Sequence, residues 1–379
     1  MIYNWDIKDL KKKRLILLKD LISKLSLSTT DRMLIKSDLN ILNSMIAEID
    51  VDKSHSIFTI NKISYKDENE IMPSKYYDTF IKISPIILKI LYPLIKEYDL
   101  IQLENDETRY FDFSSDEIIE SSRDFYKSLP NKKYYKDLEK YLNPNNHSLY
   151  IKYGNLYTDE SGITYNLSSQ NKNYIIVNII NEITDLLTLD HELAHAYFFN
   201  HSTNIESWKT PYYYITEIEG LFFEYLKQEY LIKNTKYKDE INLNNAIKMN
   251  EIIEAILYLY IWNISVNQYS LTNKVDEDKI LTTAINEGIS CEYTTNIIHH
   301  ALSSYPRGLA KECISYLTFL DLKNIAETDL EKALYLLEEI RKDYNPNVIS
   351  TLRKNNITFM DDNYANFDKE YEKIKGYKI

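Results

Sequence analysis

The chain has 379 residues, with only 6 glycines and 8 prolines. Average usage of about 7% glycine would supply about 26. These two residues punctuate turns, so their scarcity argues against turn-dense sandwiches, barrels and propellers and leaves a mainly helical protein. The net charge of −12 argues against a nucleic-acid partner, because phosphate binding needs clustered Lys and Arg.

Residues 7–50 read as helix, with Leu10, Leu15, Leu18, Leu21, Ile22 and Leu25 at three- and four-residue spacing. A second helical pattern follows the cap cluster Ser28-Thr29-Thr30-Asp31. The basic run Lys11-Lys12-Lys13-Arg14 reads as a solvated helix face. Residues 75–100 are helical, with Pro85 and Pro93 expected to break or kink the helix. The acidic stretch 102–120 reads as a solvated connection or a helix start, and 131–142 as a short helix.

The pattern changes at Pro144-Asn145-Asn146. Residues 149–153 and 162–167 are expected as strands in a hairpin-like pair. Tyr174 to Ile180 is apolar and β-branched, a third strand. Helices are then expected over 184–200, 212–233, 243–268, 277–300, 307–323 and 328–343. The tail from 345 reads as polar and irregular, ending in a short helix. The fold class is therefore mainly α. A helical N-terminal domain is expected over 1–145, and a second domain with a small β-sheet over 146–379.

Two cysteines, Cys291 and Cys313, form no CxxC pair and no disulfide framework. Met1 to Ser28 carries no leader pattern. The longest apolar run, Ala255 to Trp262, falls short of the ~18 residues of a membrane span. A soluble, cytoplasmic protein is expected, with no membrane span.

The chemistry lies in His191-Glu192-Leu193-Ala194-His195, an HExxH motif in a helical pattern directly after the third strand. Residues i and i+4 share a helix face. Two imidazoles so placed can reach one tetrahedral zinc, with Glu192 beside them as general base. A third protein ligand has two candidates. His201 stands where an HExxHxxGxxH site has its last histidine, but Phe198 replaces the glycine that lets such a chain turn. Glu217 begins a second helical pattern after Pro211, where Glu217, Gly220 and Glu224 share a face. Glu224 is placed to orient a ligand histidine from outside the metal's own shell. Glu219 points about 160° away. Two His and one Glu favour zinc over other divalent ions.

The run Thr184 to Ala196 resembles the active-site helix of the oligoendopeptidase F and thimet oligopeptidase family. Tyr174 to Asn178 resembles the family's preceding strand. Thr216 to Glu224 resembles its second helix, whose first Glu is a zinc ligand. The resemblance covers about residues 150–230 and continues more weakly to about 320. Ala194 stands where the family usually has Gly, and Phe198 where many members have His. Family members are usually well over 500 residues long. The resemblance implies that residues 146–379 form a zincin-like catalytic domain of a zinc peptidase that cuts short, unfolded peptides, with zinc on His191, His195 and Glu217. It further implies that His300 and Tyr305, five residues apart as in the thimet branch, bind substrate and steady the oxyanion. That branch's second tyrosine would fall on Glu312, with Tyr316 four residues late. The strand at Tyr174–Ile180 is expected to pair with substrate backbone. Rival readings are a selective processing protease for one protein or leader peptide, a regulatory metalloprotease acting on a repressor, and a peptide-binding module without turnover.

Overall fold

Helices dominate the computed structural model. It describes residues 4–23, 27–53, 85–98, 100–101, 110–153, 161–201, 215–272, 275–286, 298, 300–302, 304–342, 348–361 and 363–376. The helices are α1 (Ile7–Ser23), α2 (Thr29–Lys53), α3 (Pro85–Glu97), α4 (Ser115–Ser128), α5 (Lys132–Leu138), α6 (Asp185–His201) and α7 (Ile218–Asn234). They continue with α8 (Lys238–Thr272), α9 (Glu277–Asn286), α10 (Pro306–Ala326), α11 (Leu330–Lys342), α12 (Val348–Lys354) and α13 (Ala365–Lys375). The strands are β1 (Leu149–Tyr153), β2 (Gly162–Leu167) and β3 (Lys172–Ile179). This mainly α architecture with a small sheet is the expected fold class.

Local chemistry explains several boundaries. Pro85 opens α3 rather than breaking it, at a position where a missing N–H costs nothing. Pro93 lies inside the same helix. The acidic stretch ends in a capping box that starts α4, with Ser114 and Glu117 each bonding the other's backbone N–H. The tail holds α12 as well as the terminal helix α13, which buries Phe367, Tyr371 and Ile374 at i, i+4 and i+7. The helix expected from 212 begins at Ile218, and residues 212–214 lie outside the described residues. So do Cys291 and His299.

The sheet corrects one expectation. Its strand order is β1-β3-β2, so β1 and β2 are not a pair. β3 runs parallel to β1 and antiparallel to β2. The reason is burial: β3 is buried from Asn173 through Ile179, whereas β1 and β2 are mostly half-buried. A strand apolar on both faces takes the centre. Both edges of β3 are thus occupied, and β3 cannot add a substrate strand as expected. Among the described residues, β2 has β3 as its one strand partner.

The chain divides into two compact units. The first comprises residues 1–63, 108–205 and 223–236, and the second 64–107, 206–222 and 237–379. The division falls inside α7, one continuous helix, whose residues up to Phe222 are counted with the second unit and the rest with the first. The division of the chain at 145/146 stands beside these units as a proposal.

In the first unit, strand alternation sorts side chains to two faces. Ile163, Tyr165, Tyr174 and Ile176 face α1 and α2, in a core with Trp5, Leu10, Leu42 and Met45. Gly162, Thr164 and Asn173 face α6. The Asn173 amide donates to Ala196 O at 2.9 Å, fixing β3 against that helix.

The second unit is built on α8, which buries Ile256, Leu259 and Trp262. Tyr92 of α3 packs edge-on against Tyr260 at 5.3 Å, and Tyr98 against Phe367 at 4.8 Å. Two buried ion pairs join helices here: Lys323–Glu370 at 2.7 Å and Arg341–Glu219 at 3.1 Å.

Candidate metal centre

The turn from β3 into α6 passes through Asn181 at φ 65°, a left-handed conformation that asparagine tolerates. The Asp185 carboxylate then accepts from the backbone N–H groups of Ile180 (3.0 Å), Asn181 (2.8 Å) and Glu182 (3.2 Å). Burial nevertheless pushes its carboxyl up to about 6, against the pull of those three bonds. This clamp sets where α6 leaves the sheet.

One turn and a half further on, the motif is displayed. The Nε2 atoms of His191 and His195 face each other at 3.1 Å. Two nitrogens bound tetrahedrally to one zinc at ~2.05 Å would stand about 3.3 Å apart. His191 turns its other nitrogen, Nδ1, toward Glu224 Oε2 of α7 at 3.4 Å. Glu217 lies two turns before Glu224, just ahead of the first residue of α7, and its carbonyl accepts from Leu221 N at 3.0 Å. Helical continuity therefore puts the two carboxylates on one face. One ligand atom from each of His191, His195 and Glu217 lies within 4.8 Å of the others. Glu217 Oε1 also accepts from Lys311 Nζ at 2.8 Å. A carboxylate has two oxygens and about four lone-pair sites, so this ion pair is compatible with a metal on the same group. Two imidazoles and a carboxylate are a donor set that suits zinc.

Glu192 sits beside the histidines, 6% exposed. Thr164 of β2 reaches it: Oγ1 lies 2.6 Å from Glu192 Oε2 and 2.9 Å from Glu192 O. Gly162 forms the wall on the other side. A Cβ there would stand 2.8 Å from Glu192 Cγ, 3.0 Å from Oε1 and 2.7 Å from Thr188 Cγ2. A glycine is needed so that β2 can lie this close to α6.

The residue before the motif has a different role. Asp190 and Lys227 are both fully buried and paired at 3.0 Å, tying α6 to α7. Ser122 Oγ donates to Asp190 at 3.1 Å, and the Lys227 ammonium lies over the rings of Phe125 and Tyr230. Burial pushes Asp190 up and Lys227 down, and their contact opposes both shifts. On α7, Glu219 points away from Glu217, as its spacing requires, into its buried pair with Arg341.

The remaining sequence candidates separate clearly. His201 ends α6 turned away from the motif, with Nε2 3.1 Å from Asp137 and Nδ1 2.8 Å from Tyr197 O. Tyr316 is buried and packs on Phe319, and Cys313 is a buried thiol whose pKa burial raises. His300 and Tyr305 belong to the second unit. The His300 carbonyl accepts from Ser304 N at 3.1 Å, and Tyr305 precedes α10 with 43% exposure. Glu312 of α10 has its carboxyl pushed up, first by burial and then by Glu217 and Glu251, with Lys248 and Lys311 opposing.

No family model and no curated protein matches the sequence. Solved structures match the fold. A Bacillus anthracis protein named as an oligoendopeptidase F superposes with TM-score 0.53 at 12% identity, covering 94% of this chain and 69% of its own. A Chlamydophila abortus protein named as a peptidase gives 0.54 at 13% identity, covering 97% and 63%. PZ peptidase A, solved with an inhibitor, gives 0.52 at 12% identity, covering 90% and 64%. The chain has the oligoendopeptidase F fold. It spans about two thirds of the length of these oligoendopeptidase F-like structures. The resemblance read from residues 174–224 is met by that fold.

Three residues that brace the site escaped the sequence reading. Asp190 and Lys227 lie 37 positions apart in sequence, and nothing local pairs them. Thr164 shares a strand face with Gly162 by period-2 spacing, a signal that gives the face but not the helix residue it meets.

Proposed function

We propose that this chain is a zinc-dependent peptidase that hydrolyses extended peptides. The observation that carries the reading is the convergence of His191, His195 and Glu217 beside Glu192. A zinc ion held by those three side chains supplies Lewis acidity toward water and the scissile carbonyl. Glu192 then acts as general base: one carboxylate oxygen takes a proton from the attacking water and delivers it to the leaving amine nitrogen. Glu224 holds His191 through Nδ1, which fixes the ring's orientation and tautomer. His300 and Tyr305 bind substrate and donate hydrogen bonds to the oxyanion. The outer edge of β2, beside Glu192, pairs with the substrate backbone in place of β3.

The test is metal analysis of the purified protein together with digestion of a mixed peptide pool, read by mass spectrometry with and without chelator. About one zinc per chain and chelator-sensitive cleavage of many peptides are expected. Cleavage confined to one peptide would favour the selective processing reading. Full cleavage after the metal is stripped would end the proposal.

A further inference from the structure

We infer that Thr164 is a positioning residue for Glu192, holding the carboxylate in its working rotamer through a hydroxyl bridge to the same residue's backbone. The inference rests on the reading of Glu192 as the base.

The geometry has two parts. Thr164 Oγ1 lies within hydrogen-bonding distance of two oxygens of one residue: the side-chain Oε2 at 2.6 Å and the carbonyl at 2.9 Å. A hydroxyl has one hydrogen to donate, which both acceptors share. The bridge ties the far end of the Glu192 side chain to its own backbone. The second part is shape. Gly162, two residues earlier on the same strand face, approaches Glu192 Cγ and Oε1 too closely to carry a Cβ without displacement. β2 therefore meets Glu192 in two ways: Thr164 bonds Oε2, and the missing side chain of Gly162 leaves the space that Cγ and Oε1 need.

The clamp itself is anchored. Gly162 pairs with Val177 and Thr164 with Ile175 in the β3 ladder, and β3 is bonded to α6 through Asn173. A glutamate on a helix otherwise samples several rotamers, and ordering such a side chain costs conformational entropy. Here folding has ordered it before substrate arrives, and sites on strands hold their geometry better than sites on loops. Both hydrogen bonds of the hydroxyl go to Glu192, so its effect passes through that residue.

Thr164→Val keeps the shape and β-propensity and removes the donor, whereas Thr164→Ser keeps the donor. Hydrogen bonds to charged groups set the scale: Thr164→Val should lower kcat by about 10–100-fold. KM, zinc content and thermal midpoint should stay at wild-type values, and Thr164→Ser should recover most of the kcat. A crystal structure of Thr164→Val should show the Glu192 carboxylate moved from its place beside Gly162. Three results overturn the proposal: wild-type kcat in Thr164→Val, loss of activity in step with loss of zinc or fold, or a Ser variant as impaired as the Val variant. Glu192→Gln, assayed in parallel, separates the two claims. Full turnover there removes the general-base reading itself, whereas full turnover confined to Thr164→Val removes only the positioning role.

Discussion

Asp190 and His191 are adjacent in sequence, yet α6 sends their side chains into opposite environments. Asp190 is sealed with Lys227 at zero exposure, held by Ser122 and roofed by two aromatic rings. His191, with Glu224, keeps about a fifth of its side-chain surface open and turns Nε2 toward His195. Both regions join α6 to α7. The sealed one has its charges paired with each other and closed to solvent, so its work is to fix the helix pair. The open one has donors converging on a common point, which is what chemistry requires. Charge content alone does not separate scaffold from site; convergence and access do.

Breaking the sealed side should give the largest effect. Lys227→Met leaves a buried carboxylate without its partner, expected to cost about 3–5 kcal/mol in urea unfolding. Adding Asp190→Leu should recover most of that loss. A Lys227→Met protein of wild-type stability would remove the distinction between the two regions.

The open side should respond differently. Glu224→Gln should weaken zinc binding or activity by about 10–100-fold while leaving the unfolding midpoint near wild type. Zinc titration and denaturation on the same sample would check this. A stability loss as large as that of Lys227→Met would make Glu224 part of the scaffold.

Gly162→Ala sharpens the comparison where strand meets helix. Overpacking costs roughly 1–3 kcal/mol, and the methyl pushes on Glu192 and Thr188. Activity should therefore fall by more than the stability loss explains, measured as kcat against the unfolding free energy.

The smallest effect concerns pH. The Asp185 carboxyl is raised by burial from its ordinary value to about 6, so the folded state holds that proton more tightly than the unfolded state. Its contribution is fully present below pH ~4 and is lost as pH rises through about 6. Relative to Asp185→Asn, the wild type should lose stability between pH 4 and 7, by on the order of 1 kcal/mol after allowance for solvent screening. A difference that stays constant across that range would show that Asp185 titrates normally.

Much of this molecule was legible because its signals are local. HExxH spacing on a helix, the Glu217–Glu224 interval and the capping cluster before α2 all follow from helical periodicity. The fold was legible because β3 stands alone as a strongly apolar strand before the motif. What stayed hidden depends on contacts between distant segments. β1 and β2 read as a pair because they are neighbours in sequence and similar in pattern, yet the more apolar β3 displaces that pairing. The Asp190–Lys227 pair could not be read, since a buried lysine looks like any surface lysine on a helix. Thr164 lacked a signal for the same reason.

In the proposed mechanism a zinc site on His191, His195 and Glu217 works with Glu192 as its base. The most direct measurement is zinc content and peptide turnover of wild type and Glu192→Gln, side by side. About one zinc per chain is expected in both proteins, with turnover lost by about 10²-fold or more in the variant alone. A variant that cleaves peptides at the wild-type rate, or a wild-type protein that binds no zinc, would contradict it.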